Sequence, residues 1–497
     1  MLGRIISGNT GLLIARKHSR ERVELGELVV APLNNESKLL LQVVDIGYSS
    51  QLDKKLLEFI AGISVEHGES IDEFGKELRY YELLSLTPLL EIRDSNVSAP
   101  RVLPSIFTPI YRVDSKDLWF LGGKGISLGF IRSGSNVLDI EAKLPVEKML
   151  SHHVLITGTT GRGKSVLMKN LLWQLLDLDN VSCLVIDPHN EYYGINGKGL
   201  RLHRNASDSL LYYSPVNYPG AISLIVNISL LRPEHLSIID FSDAQWQLMN
   251  AYYKNYRDKW IEALLLGEEL PESLKKSFNE ATINVTRRKI SLLLDIEIKN
   301  NSIIPRGIFT TNGGESTIKS ITNALMNGKI VIIDTSTIKS ELELLISNMI
   351  TREVYREKLS RIHKQEQSPI ISIVLEEAPR VLKNNENIFS TITREGRKFG
   401  IGLIAITQMP SLIPRELLAN MNTKIILGTE LSSEREAVIN SASQDIKYLD
   451  RTIASMNKGE AIVTSTFSSI ALPIKIPFFD EEIALKEEKE KKKYIGL

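Results

Sequence analysis

Gly158-Thr159-Thr160-Gly161-Arg162-Gly163-Lys164-Ser165 fits the pattern G-x-x-x-x-G-K-[ST], the loop that wraps the phosphates of a nucleoside triphosphate. The apolar run Val154-Leu155-Ile156 reads as a strand entering this loop, and Val166 to Leu176 reads as a helix leaving it. The glycines let backbone N–H groups turn inward toward phosphate oxygens, and the helix N-terminus adds its partial positive charge. In such a setting Lys164 reaches the β- and γ-phosphates, and Ser165 holds Mg²⁺. Binding of ATP or GTP is the expectation.

The rest of the composition narrows the class. At 497 residues the chain has room for about three domains. Its 43% hydrophobic and 24% charged residues are ordinary for a globular protein. Lys+Arg (60) balance Asp+Glu (60), so no global charge advertises a polyanion binder, and a nucleic-acid site has to be local. The single cysteine, Cys183, excludes an intramolecular disulfide and sits in an apolar run as a buried structural residue would. No apolar stretch approaches the ~20 residues that span a bilayer, and the N-terminus lacks a signal-peptide pattern. A cytoplasmic protein without membrane association is expected.

Residues 1–145 read as a domain of short strands: Leu12–Ala15, Leu28–Ala31, Leu39–Val44, Leu83–Ile92, Ile106–Val113 and Ile126–Ile131. Gly, Asn, Asp and Pro punctuate them, which predicts a small β-barrel or sandwich with a helical excursion near 52–63. From about residue 146 the pattern becomes α/β. Apolar runs at Val154–Thr157, Cys183–Ile186, Lys329–Ile333, Ile370–Leu375, Ile401–Thr407 and Thr423–Leu427 predict a mainly parallel sheet covered on both faces. The predicted core therefore covers 146–230 and 326–480, interrupted by a helical insertion at 231–325 and followed by a charged tail at 481–497. Within the insertion, Ser242-Asp-Ala-Gln245 reads as a capping box. Trp246, Met249, Tyr253, Tyr256 and Trp260 follow at helical spacing, and packing core is the preferred reading over a base-stacking platform.

A phosphate loop needs carboxylates at neighbouring strand ends. Three apolar runs end in acids: Asp187, Asp334 and the pair Glu376-Glu377. Only the pair offers one group for the metal's water shell and a second to polarise the attacking water. Asp187 opens the polar cluster Pro188-His-Asn-Glu191-Tyr-Tyr193, whereas Asp334 precedes Thr335-Ser336 and reads as a cap. His189-x-Glu191 lacks further ligands at suitable spacing for a metal centre. Gln408, ending the Ile401–Thr407 run, can sense a γ-phosphate or orient water. Arg394, Arg397 and Lys398 form either a solvated turn or an arginine finger, and composition alone does not separate the two.

Gly158–Ser165, Asp187-x-His189-x-Glu191-Tyr192, Leu375-Glu-Glu-Ala378, Arg394-Glu-Gly-Arg-Lys-Phe-Gly400 and Thr407-Gln408 occur in the order seen in HerA, and the chain resembles that family of the HerA/FtsK group along nearly its whole length. The resemblance implies a RecA-like P-loop NTPase core, an N-terminal β-barrel, and a homo-hexameric ring with ATP sites between subunits and double-stranded DNA in its channel. It implies Gly158 to Ser165 as the nucleotide site, with Asp187 and Glu191 in its surroundings. Ser165 and Glu376 take the Mg²⁺ side, Glu377 becomes the general base and Gln408 the sensor, and Arg397 enters a neighbour's site. The implied activity is an ATP-driven translocase or helicase working in DNA-end resection and repair with a NurA-like nuclease partner. A motor for protein or conjugative secretion and a nucleotide-gated scaffold that recruits a nuclease are the alternatives. Two departures stand out: Glu376 where related motors often carry Asp, and Ser151-His152-His153 where family members often carry an arginine. Lys198, Arg201, Arg380 and Lys383 are candidate DNA contacts, with ordinary exposed basic residues an equal alternative.

Overall fold

Alternation of apolar residues in the first 113 positions buries one face of each strand and closes the sheet on itself. The computed structural model describes residues 1–34, 36–67, 79–94, 96–275, 277–383, 387–481 and 483. Two compact units emerge, Met1–Leu144 with Ile426–Pro477, and Pro145–Ile425 with the segment from Phe478 onward.

In the first unit, strands Leu13–Lys17, Gly3–Gly8, Pro109–Arg112, Leu28–Pro32, Ser37–Ser50 and Tyr80–Arg93 follow one another antiparallel, and the last pairs back onto the first. This is a closed six-stranded barrel, as the resemblance implied. Val29 and Ala31, Leu39, Leu41 and Val43, and Leu84 and Leu86 alternate into its core. Register shifts at Leu40/Leu41 and Val43/Asp45 bend the two longest strands, the kind of bulge that lets a small barrel close. The expected excursion is the helix Lys54–His67. Outside the barrel, Ile126–Ser133 pairs with Asn136–Leu144 and with Leu472–Lys475, which in turn pairs with Glu460–Ser465. Residues 426–477, read from sequence as part of the α/β core, thus group with the first unit through antiparallel pairing.

The second unit is built on seven parallel strands: β1 Val154–Thr157, β2 Val181–Asp187, β3 Leu210–Ser214, β4 Ile222–Ser223, β5 Ile330–Asp334, β6 Ile370–Leu375 and β7 Ile401–Thr407. Their spatial order is β4-β3-β5-β2-β6-β7-β1. β1, β2, β5 and β7 are buried at every residue, which explains their unbroken apolar runs. One interior glycine is obligatory. A Cβ at Gly402 would lie 1.7 Å from the Leu150 carbonyl oxygen, so β7 and the short helix Val146–Ser151 approach only because that side chain is missing.

Residues 231–325 are largely helical, with helices at Asp243–Tyr256, Trp260–Leu266 and Glu280–Leu293, and they also carry a hairpin, Ile296–Lys299 with Ser302–Pro305, that the sequence did not suggest. The capping box forms: Gln245 N–H donates to Ser242 Oγ, and Ser242 N–H donates to Gln245 Oε1. Met249 and Trp260 are core, but the deep aromatic between them is Tyr252, with Tyr253 only half-buried. Of the charged tail only Glu481 and Ile483 fall within the described residues.

Candidate active site

The strand order brings the chemistry to one sheet edge. β1 lies beside β7 with Thr157 opposite Thr407, β7 lies beside β6 with Ala405 opposite Leu375, and β6 lies beside β2 with Leu375 opposite Ile186. The phosphate loop, Gln408, the Glu376-Glu377 pair and Asp187 therefore emerge side by side at the C-terminal ends of the strands, where α/β sites form.

Gly158, Gly161 and Gly163 take φ values of +155°, +77° and +113°. A Cβ at Gly161 would meet nothing within 4 Å, so backbone conformation alone demands glycine there. Gly163 is the N-cap of the helix α1, Lys164–Leu175, and leaves the first helical N–H groups facing the loop. Lys164 Nζ donates to the carbonyls of Gly158 (2.7 Å) and Thr159 (3.2 Å). Burial pulls its pKa down, while Glu377, Glu376 and Glu191 oppose that shift. All three carboxylates thus act on the same ammonium group. Arg162 Nε donates to Thr159 Oγ1 across the loop (3.3 Å).

A relay leads from the loop to the acids. Thr160 Oγ1 donates to Gln408 Oε1 at 2.7 Å, and Gln408 Nε2 reaches Glu377 Oε1 at 3.5 Å. Glu377 sits at φ +48°, a left-handed conformation that costs a non-glycine residue about 1–3 kcal/mol and clusters at functional sites. Glu376 is raised to about 7, first by burial, with Asp187 and Glu191 adding to the effect and the Tyr192 hydroxyl opposing it. Tyr192, itself buried, donates its hydroxyl to Glu376 Oε1.

Asp187 plays a different part from the glutamates. Its carboxylate accepts the backbone N–H groups of His189, Glu191 and Tyr192, so it folds the loop after β2, and burial raises it to about 6. Glu191 is exposed at that loop. Asp334 caps the following turn through Ser336 N–H and Oγ, and it also accepts from Ser214, Tyr212 and Asn190.

Arg397 is nowhere near this edge. It lies in the turn Gly396–Phe399 that precedes β7, while Gln408 follows β7, and the seven residues of β7 span about 20 Å at ~3.3 Å per residue. Arg397 is exposed; its carbonyl accepts the N–H of Gly400 at 3.3 Å, but among the described residues its guanidinium makes no hydrogen bond or ion pair. Phe399 holds the turn by meeting Tyr355 edge-to-face at 5.8 Å. Arg394 pairs with Glu416 at 2.9 Å. His152 and His153 belong to the same far end: burial and then Arg397 lower His152, and burial, His152 and Arg397 push His153 down to about 4. Of the candidate DNA contacts, Lys198, Arg201 and Lys383 are exposed, whereas Arg380 is paired with Glu343 at 3.2 Å.

Among the described residues no three His, Cys, Asp or Glu side chains gather as a metal cage. A hydroxyl (Ser165) and carboxylates (Glu376, Glu377) suit Mg²⁺, which keeps waters and takes phosphate oxygens instead of a full protein shell. No helix among the described residues is long and apolar enough to cross a membrane.

Parallel sheet, glycine loop at a helix N-terminus and paired acids define a P-loop NTPase. Residues 126–354 match the family model "Helicase HerA, central domain". It is 25% identical over 513 residues to the DNA double-strand break repair helicase HerA of Pyrococcus furiosus, covering 92% of this chain and 88% of the relative. It is 24% identical over 491 residues to the protein of the same name from Sulfurisphaera tokodaii, covering 93% and 94%. The chain is thus similar to HerA proteins along nearly its whole length, as its motif order implied. In fold it is similar to the plasmid coupling protein TrwB, solved with a non-hydrolysable GTP analogue, at TM-score 0.50 and 14% identity over 74% of this chain and 94% of that one.

Proposed function

We propose that this chain is an ATP hydrolase that drives movement along, or unwinding of, double-stranded DNA, working as a homo-hexameric ring in DNA-end processing beside a nuclease. The observation that carries the reading is the split of its machinery between opposite ends of one strand, with loop, sensor and acids at one end of β7 and an unengaged arginine at the other. A finger about 20 Å from its own phosphate loop can complete only another copy's site. The names of the HerA relatives support DNA as the track.

Lys164 and the loop N–H groups would bind the β- and γ-phosphates, and Ser165 with Glu376 would hold Mg²⁺, which would supply charge neutralisation at the phosphates. Glu377, beside Gln408, takes the proton of the attacking water, and Gln408 registers the γ-phosphate through Thr160. Arg397 of one subunit stabilises the charge developing in the next subunit's site. Lys198, Arg201 and Lys383 are the exposed candidates for DNA phosphates. The test is ATP turnover with and without linear duplex DNA. Wild type is stimulated, and Lys164→Ala and Glu377→Gln each lose at least about a hundredfold, the latter still binding ATP. Full turnover indifferent to every DNA supplied would remove the motor reading.

A further inference from the structure

Tyr192 is the residue that joins two parts of the molecule with no other direct link in the geometry above. Its hydroxyl donates to Glu376 Oε1. Its carbonyl accepts the N–H of Leu200 at 3.0 Å, and the next carbonyl, of Tyr193, accepts the N–H of Arg201 at 3.1 Å. One residue thus holds the metal-side carboxylate with its side chain and the end of the basic loop with its backbone.

That loop is tied together as a piece. Its neck is the mutual approach of Gly194 and Gly199, where a Cβ on either would fall within 2.7 Å of the other's backbone. Tyr193 stacks on Tyr212 at 4.0 Å and 5°, and Tyr212 donates to Asn190 and to Asp334. The three N–H bonds to Asp187 fix the backbone from which Tyr192 projects. Lys198 is exposed within the loop beyond this neck, and Arg201 is exposed just after it, its N–H held by Tyr193.

We infer that Tyr192 is a positioning residue that orients Glu376 for the metal and transmits the state of the nucleotide site to the Lys198–Arg201 loop. The inference rests on the reading of the chain as a DNA-stimulated ATPase. With Oε1 held by Tyr192, Oε2 would be the oxygen left to reach the metal's water shell. Any shift of Glu376 on nucleotide exchange pulls on the phenol, and the two backbone bonds carry it to the loop.

Tyr192→Phe keeps the ring and removes only the donor. Nucleotide affinity measured without Mg²⁺ should stay within about twofold, while the Mg²⁺ needed for the metal-dependent gain in affinity should rise about tenfold, the worth of one hydrogen bond to a charged group. Amide hydrogen exchange at 194–201 should slow in wild type on adding Mg²⁺ with a slowly hydrolysed ATP analogue, and should not respond in the variant. Unchanged Mg²⁺ dependence together with an unchanged exchange response overturns the inference. Should the variant fail to fold, wild type decides, because exchange at 194–201 that ignores Mg²⁺-nucleotide overturns it equally. Wild-type turnover unmoved by DNA would remove the motor reading, and the Mg²⁺ and exchange measurements would still judge the Tyr192 link.

Discussion

His153 shows how one side chain can tie stability to pH away from the chemistry. Its Nδ1 accepts the N–H of Leu403 at 3.0 Å, which requires that nitrogen to be unprotonated, and burial with nearby positive charge pushes the imidazole down to about 4. The folded pKa lies below the ordinary value of 6.5, so between the two the unfolded chain binds more protons. Stability is present in full above pH 6.5 and is lost as pH falls toward 4. At pH 5 the loss amounts to about 2 kcal/mol from this group. Asn offers an acceptor that does not titrate and tolerates the φ of +60° found here. His153→Asn should therefore match wild type within about 1 kcal/mol at pH 7.5 and lose less on going to pH 5, by chemical denaturation at both values. Equal pH slopes for the two proteins would refute the assignment. The same residue explains a departure noted in the sequence. The histidines standing where an arginine was expected feel the charge of Arg397 and precede β1, at the opposite sheet end from the loop.

At the scale of elements, legibility followed locality. The phosphate loop, the Glu376-Glu377 pair and Gln408 were readable because each terminates an unbroken apolar run, and a fully buried parallel strand has no other way to be written. β3 was missed because Leu-Leu-Tyr-Tyr-Ser ends in polar groups whose partners, Asp334 at the end of β5 and Asn190 in the loop after β2, come from elsewhere in the chain. The pairing of Ile126–Ser133 with Leu472–Lys475 joins distant parts of the chain and leaves no local trace. Tyr192 stood in a recognised motif, yet its role depends on a carboxylate 184 residues away. Arg380 looked free for DNA because Glu343 lies on another helix, Ser340–His363. Gly402, inside the Ile401–Thr407 run, was not singled out in the sequence, because its need for glycine comes from the Leu150 carbonyl of another element. Gly402→Ala should destabilise the second unit by at least about 2 kcal/mol, because the clash is with backbone and no side chain can give way. A denaturation midpoint equal to wild type would show that the helix Val146–Ser151 can move aside.

For the whole molecule, the proposed sharing of a site between subunits predicts complementation. A chain with Lys164→Ala has no working loop but still offers Arg397, and a chain with Arg397→Ala has a loop but no finger. Each alone should lose about 10³-fold or more in turnover. Mixed before assembly, they should regain a measurable fraction of wild-type ATPase, since some junctions then pair an intact loop with an intact arginine. A mixture no more active than the sum of its parts would mean that Arg397 does not act in a neighbour. The length of β7 has a further consequence on this reading. A buried strand does not stretch, so a displacement of Gln408 when the γ-phosphate leaves is delivered, undamped, to the arginine turn at its other end. Each subunit then works as a messenger as well as an engine, and the order of firing around a ring is written into seven residues of sheet.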